Sequence, residues 1–252
     1  MTKLAIIGGS GLHGMGKFLT DREMWFEPNQ WGEPSAPIEI GRLGDLEVCF
    51  LSRHGTTVRR PPHMINYRAN MWALKMLKPD YVVALCTVGG ILEEDVPGTL
   101  ALPDQILDYT WGRETSYNKG DSAEIVHIDF TNPFDEELRS LLLDGAEELK
   151  YPIVDGGVYG CTQGPRLETA AEVDRLERDG VHYIGMTAMP EAALARELDL
   201  KYAVMCQIVN YAAGRMDSKE GISQQSMAAV TGEATQKSLD ICFKAMELLD
   251  KE

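Results

Sequence analysis

The sequence is short of basic residues, with 24 Lys and Arg against 39 Asp and Glu and a formal net charge of −15 at pH 7. A chain with this excess of acid repels phosphate backbones and anionic lipid surfaces unless it carries a local basic patch. The sequence contains no such patch. We therefore expect neither a nucleic acid nor a membrane surface as a partner.

Long apolar runs are also absent. The longest, such as residues 4–7 and 81–86, fall far short of the roughly 20 residues that span a bilayer. The first residues carry a charge, a short apolar run and then glycines, without the apolar stretch and cleavage site of a secretory signal. We expect a cytoplasmic protein.

Cysteine and histidine are too few and too scattered to suggest a disulfide framework or a metal site. The five cysteines are widely spaced and form no CxxC pair, which favours reduced thiols in the core. The five histidines show neither HExxH nor another ligand spacing, so we expect no metal.

What is present is the pattern of an α/β protein. Short apolar runs alternate with segments of helical period, which is typical of a mixed or parallel sheet covered by helices. The sequence shows no repeat or linker, so we expect one domain over residues 1–252. Strands are predicted near residues 4–8, 38–51, 81–88, 154–161, 181–186 and 202–209. Helices are predicted over about 65–77, from 132 towards 149, over 167–180 and over 227–248, and residues 21–37 are expected to be irregular.

A glycine-rich turn follows the first strand. Backbone N–H groups and the Ser10 hydroxyl of such a turn can close around an anion. Gly9, Gly11 and Gly14 also match GxGxxG, but tryptophans and prolines over residues 25–37 interrupt the pattern of a dinucleotide-binding fold. A structural turn, a phosphate site and an NAD site all stay open, and the NAD site is the least favoured.

Polar side chains stand at the ends of further predicted strands. Arg53 offers five fixed donors beside His54, a titratable one, and this pair suits a dianion such as phosphate. Thr87 and Thr187 end two other strands. Taken singly, each hydroxyl more often satisfies a nearby backbone group. Together with Ser10, these strand ends predict an anion site.

Two further side chains could recognise a ligand. Glu168 is predicted in the first turn of a helix, where it either stabilises the helix dipole or accepts a ligand N–H. Asn210 ends an apolar strand and presents an amide with both donor and acceptor atoms.

These motifs, in this order, resemble the trimeric purine nucleoside phosphorylase and methylthioadenosine phosphorylase family. The collinear match covers most of the chain through IIGGSGL, LSRHG, NYRANMWALK, CTVGGI, HIDFTNPF, TQGPRLET, GMTAMPEAALARE and IVNYAAG. The resemblance implies a three-layer αβα sandwich around a mixed, partly barrel-like sheet. It also implies a pentosyltransferase that cleaves a purine nucleoside with inorganic phosphate as co-substrate and uses no cofactor.

The resemblance also assigns site residues. The phosphate site comprises Ser10, Arg53, His54, Thr87, Val88 and Thr187. The nucleoside lies against Leu167, Glu168, Met186, Asn210, Ala212, Gln224 and Met227, and His127 comes from a neighbouring subunit, which implies a homotrimer.

The chemistry of such a reaction fits these residues. Cleavage of the glycosidic bond builds positive charge on the sugar and sends negative charge into the purine. Phosphate supplies both the nucleophile and the countercharge. We expect Asn210 to donate to the departing base while His54 and Thr187 hold phosphate, and these three are the expected catalytic residues.

The base preference follows from a departure within the family. Members that prefer adenine carry aspartates where this chain has Asn210 and Ala212. The carbonyl and ring N–H of a 6-oxopurine fit the Asn210 amide and the Glu168 carboxylate. Adenine would instead set a bare ring nitrogen against Glu168, a mismatch of about 1–3 kcal/mol when buried.

The 5′ substituent is less constrained by the sequence. The NYAAG variant resembles the bacterial S-methyl-5′-thioinosine phosphorylases, and Met227 could pack against a methylthio group although Gln224 is polar. Inosine or guanosine phosphorolysis and methylthioadenosine phosphorolysis stay as alternatives. From other classes, an NAD(P)-binding Rossmann oxidoreductase and a nucleoside-binding protein without catalysis also stay open.

Overall fold

The structure is a computed structural model that describes residues 1–9, 19–120 and 125–249, without the side chains of Gln224 and Ser226. Over these residues the strands are β1 Lys3–Gly8, β2 Thr20–Trp25, β3 Ile38–Leu43, β4 Leu46–Ser52, β5 Tyr81–Gly90, β6 Leu100–Leu102, β7 Gln105–Asp108, β8 Ile153–Asp155, β9 Val158–Cys161, β10 Tyr183–Gly185 and β11 Tyr202–Tyr211. The α-helices are α1 Tyr67–Leu77, α2 Glu136–Leu149, α3 Ala170–Arg178, α4 Ala188–Glu197 and α5 Gln224–Leu249.

The strands form one mixed sheet that forks at β5. The first half of β5 pairs in parallel with β1 on one edge and with β11 on the other. Strand β1 ends beside Ala84, whereas β5 continues to Gly90 and there pairs with the antiparallel β10. One arm of the sheet then continues through β11, β6 and β8, and the other through β10, β9 and β7. This leaves a gap beside β5, between the end of β1 and the beginning of β10.

Helices cover both faces of this sheet. Helices α2 and α5 pack against one face in a cluster that includes Leu142 and Ile241. Helices α1 and α4 pack against the other face with Met71 and Leu194. The predicted three-layer αβα arrangement is therefore confirmed, and the sheet bends but does not close into a barrel over the described residues.

Two predicted strands are each a pair of strands in the structure. The stretch 38–51 folds into the hairpin β3–β4, with Gly44 at φ +62° in its turn. The stretch 154–161 breaks at Gly156 and Gly157, whose φ values of +93° and +100° bend the chain from one arm of the sheet to the other. An apolar run does not show such a break, and the glycines were the signal that the prediction passed over.

Three other boundaries also differ from the prediction. Helix α2 begins at Glu136 and not near residue 132, because the Asp135 carboxylate caps it by accepting from the Leu138 N–H at 2.9 Å. Helix α3 begins after Thr169, which forms a capping box with Glu172. Residues 20–25, most of them predicted to be irregular, form edge strand β2, since backbone pairing with β3 does not require an apolar pattern.

All five cysteines are buried and free. No helix in the described part of the chain is long and apolar enough to cross a membrane.

The contact between α2 and α5 depends on a residue without a side chain. A Cβ added to Gly145 would lie 2.8 Å from the Ile241 carbonyl oxygen and 2.9 Å from the Ala245 nitrogen, both main-chain atoms of α5. We predict that Gly145→Ala forces the helices apart and lowers the free energy of unfolding by about 1–3 kcal/mol. Urea denaturation measures this change.

The matched control is Gly232→Ala in the exposed part of α5, where an added Cβ meets nothing within 4 Å. Because alanine is the better helix former, this variant should be more stable by about 0.5–1 kcal/mol. Equal stabilisation by both substitutions would contradict the close packing of α2 on α5.

Candidate active site

The fork in the sheet opens into a cavity of about 660 Å³. It lies at the carboxyl ends of β1, β4 and β5, where ligands of open α/β sheets bind. Eleven of the predicted site residues line it: Arg53, His54, Thr87, Val88, Leu167, Glu168, Met186, Thr187, Asn210, Ala212 and Met227. Residues from distant parts of the chain therefore meet in one place, as the strand-end pattern predicts.

The floor of the cavity is the buried guanidinium of Arg53, whose exposed fraction is 1%. Its Nη2 donates to the carbonyl oxygens of Ile7 at 3.0 Å and Leu85 at 2.8 Å. Ile7 lies near the end of β1, and Leu85 lies within β5. Its Nη1 donates to Thr187 Oγ1 at 2.7 Å and to Cys86 Sγ at 3.4 Å. Arg53 thus ties together strands on both sides of the gap.

This arrangement differs from the sequence prediction of five donors aimed at phosphate. Both terminal nitrogens of Arg53 already have partners, and Nε is the nitrogen without a hydrogen-bond partner in the described part of the chain. Arg53 consequently supplies the cavity with a fixed positive charge and orients the Thr187 hydroxyl. It does not present five free donors to a ligand.

A buried carboxylate balances that charge. Glu191 Oε1 lies 3.4 Å from Arg53 Nη1 and accepts a hydrogen bond from the Tyr202 hydroxyl at 2.9 Å. Burial alone would lower the pKa of Arg53, but Glu191, Cys86 and Tyr202 together outweigh burial and the pKa is raised. Sequence reasoning missed Glu191 as a site residue, although a charged residue in the apolar segment around α4 was a signal.

Thr187 connects Arg53 to the open space of the cavity. It is the N-cap residue of α4 but makes no side-chain capping bond, so its hydroxyl is not used to satisfy the helix end. Because Oγ1 accepts from Arg53, the hydroxyl hydrogen points away from the guanidinium, towards Cys86 Sγ at 3.6 Å or a ligand. The arrangement suits donation to an anion.

His54 is fixed in one tautomer by its surroundings. Its Nδ1 lies 2.8 Å from the Arg60 carbonyl oxygen, and since a carbonyl only accepts, Nδ1 carries the proton. Burial lowers the pKa of His54. The hydrogen bond to the Arg60 carbonyl oxygen raises the pKa in part, and the charges of Arg53 and Arg59 lower it further. The neutral ring therefore presents Nε2 as an acceptor, where the sequence prediction had a donor.

The Glu168 carboxylate also lines the cavity. Glu168 precedes α3 and lies outside its first turn, which corrects the sequence prediction. Its Oε1 accepts from the Thr162 hydroxyl at 2.6 Å, so the second oxygen is available to a ligand N–H. Thr162 was also missed, because its link to Glu168 exists only once the chain turns through residues 163–167.

Asn210 reaches the cavity because β11 bulges there. Opposite Val88 and Gly89 of β5, the register of β11 shifts between Ile208 and Asn210, and such a bulge re-aims the following side chain. Its Nδ2 donates to the Tyr211 carbonyl oxygen at 2.6 Å, which leaves a second N–H and Oδ1 for a ligand. Gly89 makes room for this amide, since a Cβ there would lie 3.3 Å from Nδ2.

Helix α5 contributes a third wall. Met227, Thr231 and Thr235 recur every four residues on one face and line the cavity. Thr235, which is buried, donates to Gln207 Oε1 at 3.3 Å, and Gln207 Nε2 donates to Ser238 at 3.0 Å. Thr231, Thr235 and Gln207 were not predicted. The four-residue spacing of the two threonines from Met227 was visible in the sequence.

Three predicted residues are not placed in this cavity. His127 is exposed and does not line it, and Ile125 and Val126 beside it are exposed as well. Ser10 lies outside the described residues, and so does the side chain of Gln224, the first residue of α5.

Comparisons with known proteins agree with this geometry. The family described as "Phosphorylase superfamily" matches residues 3–245. A "Probable S-methyl-5'-thioinosine phosphorylase" of Xylella fastidiosa is 48% identical over 217 residues, which cover 86% of this chain and 87% of the relative. A "6-oxopurine nucleoside phosphorylase" of Pyrococcus furiosus is 37% identical, over 100% of this chain and 95% of its own.

Among solved structures, the methylthioadenosine phosphorylase from Schistosoma mansoni in complex with tubercidin superposes with a TM-score of 0.88. It is 27% identical, and the match covers 100% of this chain and 93% of that one.

The Arg53–Glu191 pair leads to a stability prediction. Glu191→Ala leaves the Arg53 charge buried without its counter-ion and should lower the free energy of unfolding by about 3–5 kcal/mol. Urea denaturation measures it. Glu233→Ala, which removes an exposed partner of Lys237, should leave the unfolding midpoint almost unchanged. If both variants had equally small effects, Arg53 would not depend on Glu191 as its buried counter-ion.

Proposed function

We propose that this chain, which belongs to the phosphorylase superfamily, uses inorganic phosphate to cleave the glycosidic bond of a 6-oxopurine nucleoside. Its main substrate is S-methyl-5′-thioinosine, and its products are hypoxanthine and S-methyl-5-thioribose 1-phosphate. One observation carries the proposal: a single cavity is lined both by a fixed cation and by a hydrogen-bonded carboxylate. The matched family replaces the Rossmann oxidoreductase alternative.

The phosphate end supplies the nucleophile. The charge of Arg53 attracts phosphate, and the Thr187 hydroxyl donates to one of its oxygens. The unprotonated Nε2 of His54 accepts a hydrogen bond from the P–OH group of monohydrogen phosphate. A deprotonated phosphate oxygen is thereby left to face the sugar. Phosphate also stabilises the positive charge that develops on the ribosyl group as the bond breaks. No cofactor takes part in this scheme.

The base end stabilises the leaving group. The free oxygen of Glu168 accepts the ring N–H of a 6-oxopurine, and the free amide N–H of Asn210 donates as the purine gains negative charge. Ala212 is buried and brings no carboxylate to this end of the cavity. A base with an amino group at position 6 and a bare neighbouring nitrogen would leave Glu168 facing an acceptor.

The sugar end favours a methylthio group over a hydroxyl. Met227 on α5 lines the cavity and gives the methylthio group a polarisable apolar contact. Thr231 on the same face is polar, and inosine or guanosine is therefore the competing substrate. The bacterial relative named for methylthioinosine supports the first choice.

We expect phosphate-dependent release of hypoxanthine from methylthioinosine by the purified protein. Its kcat/KM should exceed the value for methylthioadenosine by about 5- to 150-fold, because a buried acceptor–acceptor mismatch costs about 1–3 kcal/mol. Inosine should be a weaker substrate than methylthioinosine. Release that is equally fast without phosphate would contradict the proposal and indicate a hydrolase.

The matched variant for the base preference is Asn210→Asp. It should shift the ratio of kcat/KM values towards methylthioadenosine, because a carboxyl group in place of the amide can accept from the 6-amino group. Asn118→Asp, an exposed change that does not line the cavity, should leave the ratio as it is. An unchanged ratio in Asn210→Asp would defeat the assignment of Asn210 to the base.

The proposal includes a homotrimer in which His127 of each chain completes the sugar end of a neighbour's cavity. In support, His127 is exposed and does not line the cavity of its own chain. Sedimentation equilibrium should give three times the mass of the chain. His127→Ala should raise the KM for nucleoside more than the KM for phosphate. A monomer with full activity would contradict this arrangement.

A further inference from the structure

Arg113 donates hydrogen bonds to four main-chain carbonyl oxygens, although it does not line the cavity. It lies on the connection after β7, in a segment to which the sequence assigned no role. Its guanidinium donates to the carbonyl oxygens of Met186 at 2.8 Å, Met189 at 2.5 Å, Gln163 at 2.9 Å and Thr162 at 3.3 Å. Such a set of acceptors uses the planar fork that only arginine provides.

These carbonyls belong to two loops that both contribute side chains to the cavity. The base loop, residues 162–168, ends in Glu168 and contains its hydrogen-bond donor Thr162. The segment that we call the ribose loop, residues 186–189, contains Met186 and Thr187 and includes the first residues of α4, where Met189 has non-helical backbone angles. One side chain therefore links the group assigned to the purine with the group assigned to phosphate.

The sheet itself does not extend this far. The pairing of β9 with β10 ends at Cys161 and Gly185, and the last backbone bond between the two segments runs from the Thr162 nitrogen to the Gly185 carbonyl oxygen at 2.8 Å. Beyond that point the loops meet through the Met186 side chain, since a Cβ on Gly164 would lie 2.5 Å from Met186 Sδ. Arg113 bridges the main chains of the two loops with one Nη on each side. The guanidinium thus fixes the spacing of these main chains.

Arg113 is also held in place from behind. Its guanidinium stacks on the Tyr67 ring, 5.5 Å from the centroid, and donates to the Tyr67 hydroxyl at 3.3 Å. Tyr67 is buried at the start of α1, and its hydroxyl donates to the Pro62 carbonyl oxygen at 2.9 Å. The bridge between the loops therefore rests on a rigid helix.

We propose that Arg113 is a positioning residue that sets the distance between Glu168 and Thr187, and with it the distance from the purine to the attacking phosphate. The inference rests on the proposed function and adds a determinant of its rate. Since Arg113 does not line the cavity, it acts on both substrates through the main chain of the two loops.

The test compares Arg113→Lys and Arg113→Ala with the wild type in methylthioinosine phosphorolysis. Misplacement of the reacting groups by about 1 Å costs about 10²-fold in rate, so we expect kcat to fall by about that factor in both variants. Calorimetric binding of phosphate alone and of hypoxanthine alone should change much less than kcat. Millimolar guanidinium ion should restore part of the activity of Arg113→Ala but not of Arg113→Lys.

The matched control is Arg215→Ala. Arg215 is half-buried, as Arg113 is, but it pairs with Asp174 and Glu177 on α3 and does not line the cavity. This variant should keep its kcat even where its thermal midpoint falls. Thermal midpoints of all variants separate loss of fold from loss of alignment.

Two results would overturn the inference while the proposed function stands. One is an unchanged kcat in the Arg113 variants beside an active wild type. The other is a loss of kcat matched by equal losses in both single-ligand affinities and unaffected by guanidinium, which indicates a purely structural residue. A wild type without phosphate-dependent turnover would instead overturn the proposed function.

Discussion

The site depends on one buried interaction, the hydrogen bonds of the Arg53 guanidinium with main-chain carbonyls of β1 and β5. A charge removed from water is stable only if its donors have partners and a counter-ion is close, and Glu191 provides the latter. The same guanidinium donates to Thr187 and so sets the direction of its hydroxyl. Stability and anion recognition therefore depend on the same side chain.

The topology explains why this cation lies beside a cavity and not in a continuous sheet. Strand β5 extends past the end of β1 and changes partner to β10, which opens the sheet at the point where Arg53 enters. A bulge in β11 then turns Asn210 into the same opening. The base loop and the ribose loop leave β9 and β10, which are neighbours in one arm of the sheet, whereas Asn210 comes from β11 in the other arm. Both arms therefore contribute side chains to the cavity.

The sequence predicted the layers, the family and most of the cavity lining, because strand ends and their polar residues are local features. It did not predict relations that exist only after folding. Glu191 and Thr162 act through partners distant in the chain, and the hydrogen bond from His54 to Arg60 decides a tautomer that residue type alone leaves open. The breaks in the stretches 38–51 and 154–161 were missed because apolar content outweighed the glycine signals in the prediction.

The central claim is that phosphate and an oxygenated purine occupy one cavity, between the Arg53–Thr187 pair and the Glu168 carboxylate. The decisive experiment is a crystal structure with phosphate and hypoxanthine bound. We expect a phosphate oxygen within hydrogen-bonding distance of the Thr187 hydroxyl and the hypoxanthine ring N–H on a Glu168 oxygen. Either ligand found outside this cavity, or hypoxanthine turned away from Glu168, would contradict it.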